Sequence, residues 1–173
     1  MNKCFRKSSG DIIVYLNADD EFAPGAFRKV IDVFSSGLVD MVIGDLMHVL
    51  PNQEPKRRVP QTGLLPTLHY WPCLFPLNPV SYFYTRKLQT EIGDFPVTNH
   101  YNMDYWFLLH AFKIARLAKI DEVLGTFYAI DNKSSDAERA RRTSKMVRNQ
   151  FLGENPLIAV KYLAYWLFKM RCA

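Results

Sequence analysis

Three side chains that carry oxygen, Asn17, Asp19 and Asp20, lie within four residues of one another, directly after the apolar run 12–16. Mg²⁺ or Mn²⁺ bound together with phosphate oxygens usually takes only one or two protein carboxylates, so these donors suit such a cation. The alternative is a polar turn whose Asp residues cap the next helix. The spacing of these residues alone favours neither the cation site nor the polar turn.

A second acid, Asp104, stands at the beginning of the apolar stretch 105–109. A carboxylate at the beginning of a helix is favoured by the helix dipole and can cap the free amide groups of the first turn. A carboxylate can also remove a proton from a reacting hydroxyl. One residue can play both roles.

The elements around the first acids follow an α/β pattern. The run Ile12–Leu16 is almost entirely apolar and rich in β-branched residues, which predicts a strand buried on both faces, with its acids at the edge where open α/β sheets bind ligands. Pro24 fits the first turn of a helix and Gly37 a C-terminal cap. Between them, apolar residues recur at three- and four-residue steps: Phe27, Val30, Ile31 and Phe34.

These residues together resemble a family signature. Gly10-Asp11-Ile12-Ile13, the acidic motif 16–20 and Pro24-Gly25-Ala26 are similar to the family-2-like glycosyltransferases of the GT-A fold, with Asn17 in place of the first motif acid. The resemblance implies an α/β, partial GT-A fold, which is a Rossmann-like mixed sheet flanked by helices, with C-terminal amphipathic helices.

The resemblance also implies an activity. We expect a metal-dependent, inverting glycosyltransferase that moves a sugar from a nucleotide-sugar donor to a saccharide or lipid-linked acceptor, in polysaccharide or glycolipid synthesis for the cell envelope. Asp19 would hold Mg²⁺ or Mn²⁺ and Asp104 would be the general base, after Met103 in place of a frequent Glu. The donor diphosphate would be bound near Asn17 and Asp20, and by the loop residues Lys133 and Ser134.

The resemblance covers only the C-terminal part of that family's domain, from the metal motif onward. By the resemblance, the family's N-terminal nucleotide-binding half would lie upstream of Met1. We therefore expect either a fragment of a longer chain or the product of a split or truncated gene, and in the split case the N-terminal half would be a separate partner. The competing hypothesis is a catalytically inactive split or truncated remnant that serves as an interaction module.

The amino-acid composition limits the classes of protein to which the chain can belong. A chain of 173 residues, 49% hydrophobic and 14% aromatic, is a folded domain and not a disordered one. Its net charge of +5 suits nucleic acid, an anionic membrane or an anionic substrate. No nucleic-acid-binding motif accompanies the basic residues, so we expect no nucleic-acid partner. The spacing of the three cysteines, Cys4, Cys73 and Cys172, is not that of metal ligands. The N-terminal residues also do not form an apolar leader. We therefore expect reduced thiols in a cytoplasmic protein.

The chain divides into residues 1–135, the glycosyltransferase part, and residues 136–173, the C-terminal helices. Residues 136–150 predict a basic surface helix. Residues 156–170 predict an amphipathic helix with a basic edge, typical of an interfacial membrane helix or equally of one packed on the domain. Family resemblance favours peripheral contact with the inner face of the cytoplasmic membrane.

The middle of the chain carries further expectations. We predict a strand over 39–44 followed by Asp45 in a solvated turn, and an exposed loop or hairpin over 51–60 in which Arg57 or Arg58 is a minor phosphate candidate. The Pro- and aromatic-rich stretch 63–79 predicts irregular structure. The residues also predict a strand over 81–84 and a short helix over 86–92, and the family resemblance implies a strand over 115–118, a turn over 120–124 and a final strand over 126–128.

Overall fold

The computed structural model describes residues 1–69, 76, 78–98, 102–129 and 137–171. It is a mixed six-stranded sheet flanked by helices, which confirms the α/β class. The strands are β1 (Ile12–Ile13), β2 (Glu21–Phe22), β3 (Met41–Val49), β4 (Lys56–Arg58), β5 (Tyr82–Thr85) and β6 (Leu117–Tyr128). The helices are α1 (Asn2–Lys7), α2 (Ala26–Phe34), α3 (Leu64–His69), α4 (Arg86–Ile92), α5 (Met103–Ile114), α6 (Ala137–Glu154) and α7 (Pro156–Arg171), and a 3-10 turn spans Pro79–Ser81.

The sheet has the strand order β1-β5-β3-β6-β2, with β4 paired to β3. The long central strands β3 and β6 run parallel, whereas the other neighbouring pairs are antiparallel. The two faces of the sheet bury separate apolar clusters. One joins Tyr84 of β5 to Phe107 of α5 and Val147 of α6, and the other joins Val42 of β3 to Val30 of α2.

The first strand is shorter and less buried than predicted. It contains two residues instead of the run Ile12–Leu16, and it pairs only with β5 at one edge of the described sheet. Ile13 is buried, but Leu16 is 53% exposed. The prediction of a strand over 12–16 buried on both faces is therefore wrong here, because the chain leaves the sheet after Ile13 and Leu16 lies outside the strand.

The central strands are longer than predicted. β3 continues past Gly44 to Val49, and β6 runs unbroken through the predicted turn at 120–124. The pairing of β3 with β6 shifts register around Asp45, so the Asp121-Glu122 segment is a bulge within one strand and not a connection between two. At Gly44 a Cβ would lie 2.4 Å from Cγ of Leu124, which shows how closely β6 approaches β3.

Asp45 is not in a solvated turn, because its side chain is completely buried within β3. The Arg57 Nε donates to its Oδ2 at 2.7 Å, and the Lys119 Nζ donates to its Oδ1. Two cations from neighbouring strands thus compensate a carboxylate that would otherwise be costly to bury. The hairpin predicted over 51–60 is confirmed by β4, but Arg57 is engaged by Asp45 and not free for phosphate.

Helix α2 is confirmed, with Gly25 at its N-cap in the left-handed region at φ 76°. Pro24 therefore precedes the helix and does not lie in its first turn. Val30 is buried as expected, but Phe27 and Ile31 are 49% and 54% exposed.

The helix over 86–92 has the predicted bounds, and the Pro-rich stretch contains a short helix, α3, that was not predicted. Trp71 and Phe75, expected to be buried there, lie outside the described residues.

Both C-terminal helices are present, and Phe151 of α6 and Tyr162 of α7 contact the larger apolar cluster. Within the described residues, no helix combines the length and apolar character needed to cross a bilayer. Cys4 is exposed and forms no disulfide, whereas Cys73 and Cys172 lie outside the described part of the chain.

Candidate functional site

The acidic turn that follows β1 is organised around Asp20. This carboxylate is buried and accepts hydrogen bonds from Nδ2 of Asn17 at 2.8 Å, Nδ2 of Asn78 at 2.7 Å and the amide of Tyr128 at 3.1 Å. The donors come from the turn itself, from the residue before the 3-10 turn and from the end of β6. Asp20 therefore ties three separate segments together.

Asn17 and Asp20 were both predicted to bind the donor. In the structure they bind each other, and the amide of Asp20 also donates to the carbonyl of Asn17 at 3.3 Å. These contacts define a structural role for both residues. Their contact with a donor stays a prediction.

Asp19, between them, is exposed, and its side chain has no hydrogen-bond or ion-pair partner within the described residues. The described residues contain no group of three or more His, Cys, Asp or Glu side chains placed to hold a metal by themselves. A single free carboxylate fits Mg²⁺ or Mn²⁺ in the type of site where substrate phosphates and water supply the remaining ligands. Asp19 is the residue of this turn that is available for that role.

Asn78 was missed by the sequence reasoning. Its Oδ1 accepts from the amide of Val80 at 3.0 Å and its carbonyl accepts from Oγ of Ser81 at 2.8 Å, so it caps the 3-10 turn while it also holds Asp20. A signal was present, since an Asn directly before a Pro favours a cap or turn. The partner Asp20, 58 residues away, carried no such signal.

The second acid, Asp104, lies in the first turn of α5. Its Oδ1 accepts from the amide of Tyr105 at 2.8 Å, so the carboxylate does contact a free amide of the helix, although Asn102 is the N-cap residue. Asn102 in turn donates through Nδ2 to the carbonyl of Ala140 and to Oγ1 of Thr143, which fixes the beginning of α5 against α6.

The surroundings of Asp104 are dry. Although part of the residue is open to solvent, protein atoms around the carboxyl remove most of its hydration, and this burial raises its pKa from 3.8 to about 6. The amide of Tyr105 acts in the opposite direction and lowers the pKa. A carboxyl group with a pKa near 6 is charged at neutral pH but basic enough to accept a proton from a substrate.

The segment 78–82 connects the two acids. Asn78 binds Asp20 at one end, and at the other end Tyr82 lies within electrostatic reach of Asp104, whose charge contributes to raising the pKa of Tyr82. The Cα atoms of residues 78 and 82 are at most about 14 Å apart, because a chain spans no more than about 3.6 Å per residue. The acidic turn and Asp104 are thus anchored to opposite ends of one short segment. Lys133 and Ser134, predicted to contact the diphosphate, lie outside the described residues.

The fold and these two carboxylates define an α/β domain with a solvent-exposed acid at a sheet edge and a desolvated acid at a helix terminus. The sequence model of "Glycosyl transferase family 2" matches residues 1–106, more than half of the chain. The chain therefore belongs to glycosyl transferase family 2. A search of curated proteins finds no significant match.

Similar solved structures include those of S. aureus TarS. The structure of TarS 1–349 in complex with UDP-GlcNAc has 15% sequence identity and a TM-score of 0.58, and the match covers 88% of this chain and 50% of that one. TarS 1–349 without a named ligand matches at 15% identity and a TM-score of 0.56, over 84% of this chain and 43% of that one. The complex of TarS 1–349 with UDP matches at 15% identity and a TM-score of 0.57, over 88% and 48%. This chain thus shares the TarS fold and spans about half the length of those structures.

Proposed function

We propose that this chain carries the metal-binding and acceptor-activating acids of an inverting, metal-dependent glycosyltransferase. The observation that carries the proposal is the segment 78–82, which anchors the acidic turn through Asn78 and approaches Asp104 through Tyr82. One acid is exposed and unpartnered within the described residues, and the other is desolvated. Those are the different properties that a metal ligand and a general base require.

The roles of the residues follow from their surroundings. Asp104, charged at neutral pH, takes the proton of the acceptor hydroxyl as its oxygen attacks the anomeric carbon. Attack from the face opposite the departing diphosphate inverts that carbon. Asp19 would hold the divalent cation, with Asp20 keeping the turn in place by its three hydrogen bonds. The bound cation would neutralise negative charge that develops on the leaving diphosphate.

The donor in this proposal is a nucleoside diphosphate sugar. Similarity of fold to TarS structures with UDP-GlcNAc and with UDP supports a uridine nucleotide as the first to test. The acceptor in this proposal is a saccharide or lipid-linked hydroxyl in cell-envelope polysaccharide synthesis.

Calorimetry with UDP, in the presence of Mn²⁺ or of EDTA, tests the metal role. We expect binding that requires Mn²⁺ and is lost in Asp19→Asn. Asp32→Asn is a matched control, because Asp32 is an exposed acid on α2. Equal affinity with Mn²⁺ and with EDTA would contradict the proposal.

We also propose that part of the donor site is contributed by residues outside this chain. β1 leaves one strand edge unpaired within the described sheet, and Leu16, Phe27, Ile31 and Leu38 are exposed. Unpaired strand edges and exposed apolar groups associate with available partners. By size-exclusion chromatography, we expect the isolated chain to self-associate. A monodisperse monomer with transferase activity would show that no other residues are needed.

The alternative function, a non-catalytic interaction module, is favoured by the same exposed edge. The two functions differ in nucleotide binding. If the chain, together with the proposed partner that completes the donor site, binds no nucleotide with Mn²⁺ yet still binds that partner tightly, the module is the correct interpretation.

A third proposal concerns α7 and places the protein on the inner face of the cytoplasmic membrane. Ile158 and Tyr162 pack against the domain, while the outward side of α7 is apolar where a surface helix normally carries polar residues. The exposed apolar side chains are Leu157, Val160, Leu163, Trp166, Leu167, Phe168 and Met170. Lys161 and Lys169 are exposed among them. An apolar surface with basic residues and a Trp is complementary to an anionic lipid interface.

Co-sedimentation with phosphatidylglycerol vesicles tests this surface. The double variant Leu163→Glu, Phe168→Glu should bind at least about tenfold less, because it places charges on the face that would enter the lipid interface. Met146→Glu is the control, since Met146 is 62% exposed on α6. Unchanged binding of the double variant would exclude α7 as the membrane contact.

A further inference from the structure

Two buried tyrosines on β5 differ in one respect. Tyr82 and Tyr84 are 1% and 0% exposed, and their rings stack with centroids 6.3 Å apart. The hydroxyl of Tyr84 donates to Oε1 of Gln89 at 2.7 Å. The hydroxyl of Tyr82 is equally buried but has no hydrogen-bond partner within the described residues. A buried hydroxyl without a partner is uncommon, because it has lost water without replacement.

The packing places Tyr82 towards Asp104. The ring of Tyr84 contacts Phe107 of α5 with a centroid distance of 4.6 Å. Asp104 precedes Phe107 by three residues, on the same side of the helix, and Tyr82 precedes Tyr84 by two, on the same side of the strand. The influence of the Asp104 charge on Tyr82 agrees with this placement.

The remaining titratable groups around this pair are few in the described part of the chain. Tyr105 follows Asp104 on α5, Tyr15 approaches from the segment after β1, and Arg148 on α6 acts on Tyr105. The Asp104 carboxylate accepts hydrogen bonds from the backbone amides of Tyr105 and of Asp104 itself, both on its own helix. Because burial raises the pKa of Tyr82 well above 10.0, its hydroxyl stays protonated and can donate throughout the working pH range.

We propose that Tyr82 is a positioning residue for Asp104, and that its hydroxyl donates a hydrogen bond to the charged Asp104 carboxylate, directly or through one buried water. The bond favours the charged carboxylate and holds its orientation towards the acceptor hydroxyl. The catalytic consequence rests on the proposed function, in which Asp104 is the base. The hydrogen bond itself does not.

Tyr82→Phe and Tyr84→Phe form a matched pair for the test. The Asp104 carboxyl carbon is followed by ¹³C NMR as the pH is varied. Tyr82→Phe should raise the pKa of Asp104 by about one unit, since a donor to the charged form has been removed. Tyr84→Phe should leave that pKa unchanged, because its hydroxyl is engaged by Gln89. The same pKa in Tyr82→Phe and in the unaltered protein would overturn the proposal.

A second measurement uses the unaltered protein and does not depend on either variant folding. The Tyr82 hydroxyl proton, protected by burial, should give a resonance whose chemical shift follows the ionisation of Asp104, and this response should vanish in Asp104→Asn. A shift that does not respond to pH would also overturn the proposal. If the NMR results hold but Asp104→Asn retains transfer activity, the proposed function fails while the hydrogen bond stands.

Discussion

The acidic turn and the beginning of α5 hold carboxylates in opposite ways. In the turn, Asp20 receives three hydrogen bonds from three segments, and its neighbour Asp19 remains exposed. At α5, Asp104 accepts hydrogen bonds only from backbone amides at the beginning of its own helix within the described residues, and it lies in a dry environment that raises its pKa to about 6. Hydrogen bonds thus give Asp20 a structural role, whereas desolvation raises the pKa of Asp104 and makes it more basic.

Adjacent or similar acids therefore need not share a role. Asp19 and Asp20 are neighbours in sequence, yet one is available to a ligand and the other is engaged within the protein. Asp104 resembles neither, because few donors satisfy it and its charged form is disfavoured.

The largest expected effect tests the α5 side of the comparison. Asp104→Asn should lower the rate of sugar transfer by about 10³-fold, because general bases contribute 10²–10⁴-fold. The release of nucleoside diphosphate in the presence of acceptor measures this rate in the complete enzyme. Asp32→Asn, an exposed helical acid, should retain normal rates, and near-normal transfer by Asp104→Asn would remove the base assignment.

The next effect separates Asp20 from Asp19. Asp20→Ala should lower the free energy of unfolding by about 3 kcal/mol, because it removes an acceptor and leaves buried donors such as Asn78 unsatisfied. Asp19→Ala should change it by less than about 0.5 kcal/mol, as an exposed substitution. Urea denaturation compares the two, and equal losses would break the distinction between anchor and free ligand.

The pH dependence follows from the raised pKa of Asp104. Below about pH 6 Asp104 becomes protonated, so if it is the proposed base the transfer rate should fall about tenfold for each pH unit. Because the folded pKa lies above the usual 3.8, protonated Asp104 favours the folded state below 3.8, and this contribution is lost as pH rises through about 6. The charged carboxylate then costs no more than about 3 kcal/mol at pH 7.

Asp104→Asn should consequently be more stable than the unaltered protein at pH 7, and the difference should shrink towards pH 4. Urea denaturation at both values provides the measurement. A difference that is independent of pH would show that the pKa of Asp104 is not raised by folding.

The smallest expected effect is the loss of stability when Asn17, within the acidic turn, is replaced. Asn17→Ala removes one of the three donors to Asp20 and should cost about 1 kcal/mol, because Asn78 and Tyr128 still hold the carboxylate. Nucleotide affinity with Mn²⁺ should change little if Asn17 is purely structural. A large loss of affinity would instead support the donor contact predicted for Asn17.

Some elements could be predicted because local residues specify them. The helix over 86–92 follows from Thr85, whose side chain caps it, and from Gly93 at φ 94° after its end. The helix that begins near Asp104 was likewise confirmed. The extent of β1 could not be predicted, because the apolar sequence 12–16 does not show how many of its residues a neighbouring strand pairs with.

The largest differences between the sequence predictions and the structure concern the surroundings of polar residues. Asp45 was expected in a solvated turn, since a lone acid after an apolar run gives no sign of burial. Its two partners, Arg57 and Lys119, lie 12 and 74 residues further along the chain. Only the pairing of β3 with β4 and β6 brings the three side chains together.

The amino-acid sequence by itself determined the α/β class, the family and the presence of acids at a sheet edge and a helix terminus, since these depend on local periodicity and short motifs. Only the tertiary structure decided that Asp20 is engaged, that Asp19 is exposed and that Asp104 is desolvated. Hydrogen bonding and desolvation are set by atoms that the fold brings together, such as Asn78 and Tyr128 around Asp20. A carboxylate's position follows from the chain around it, but its charge and availability follow from what the fold packs against it.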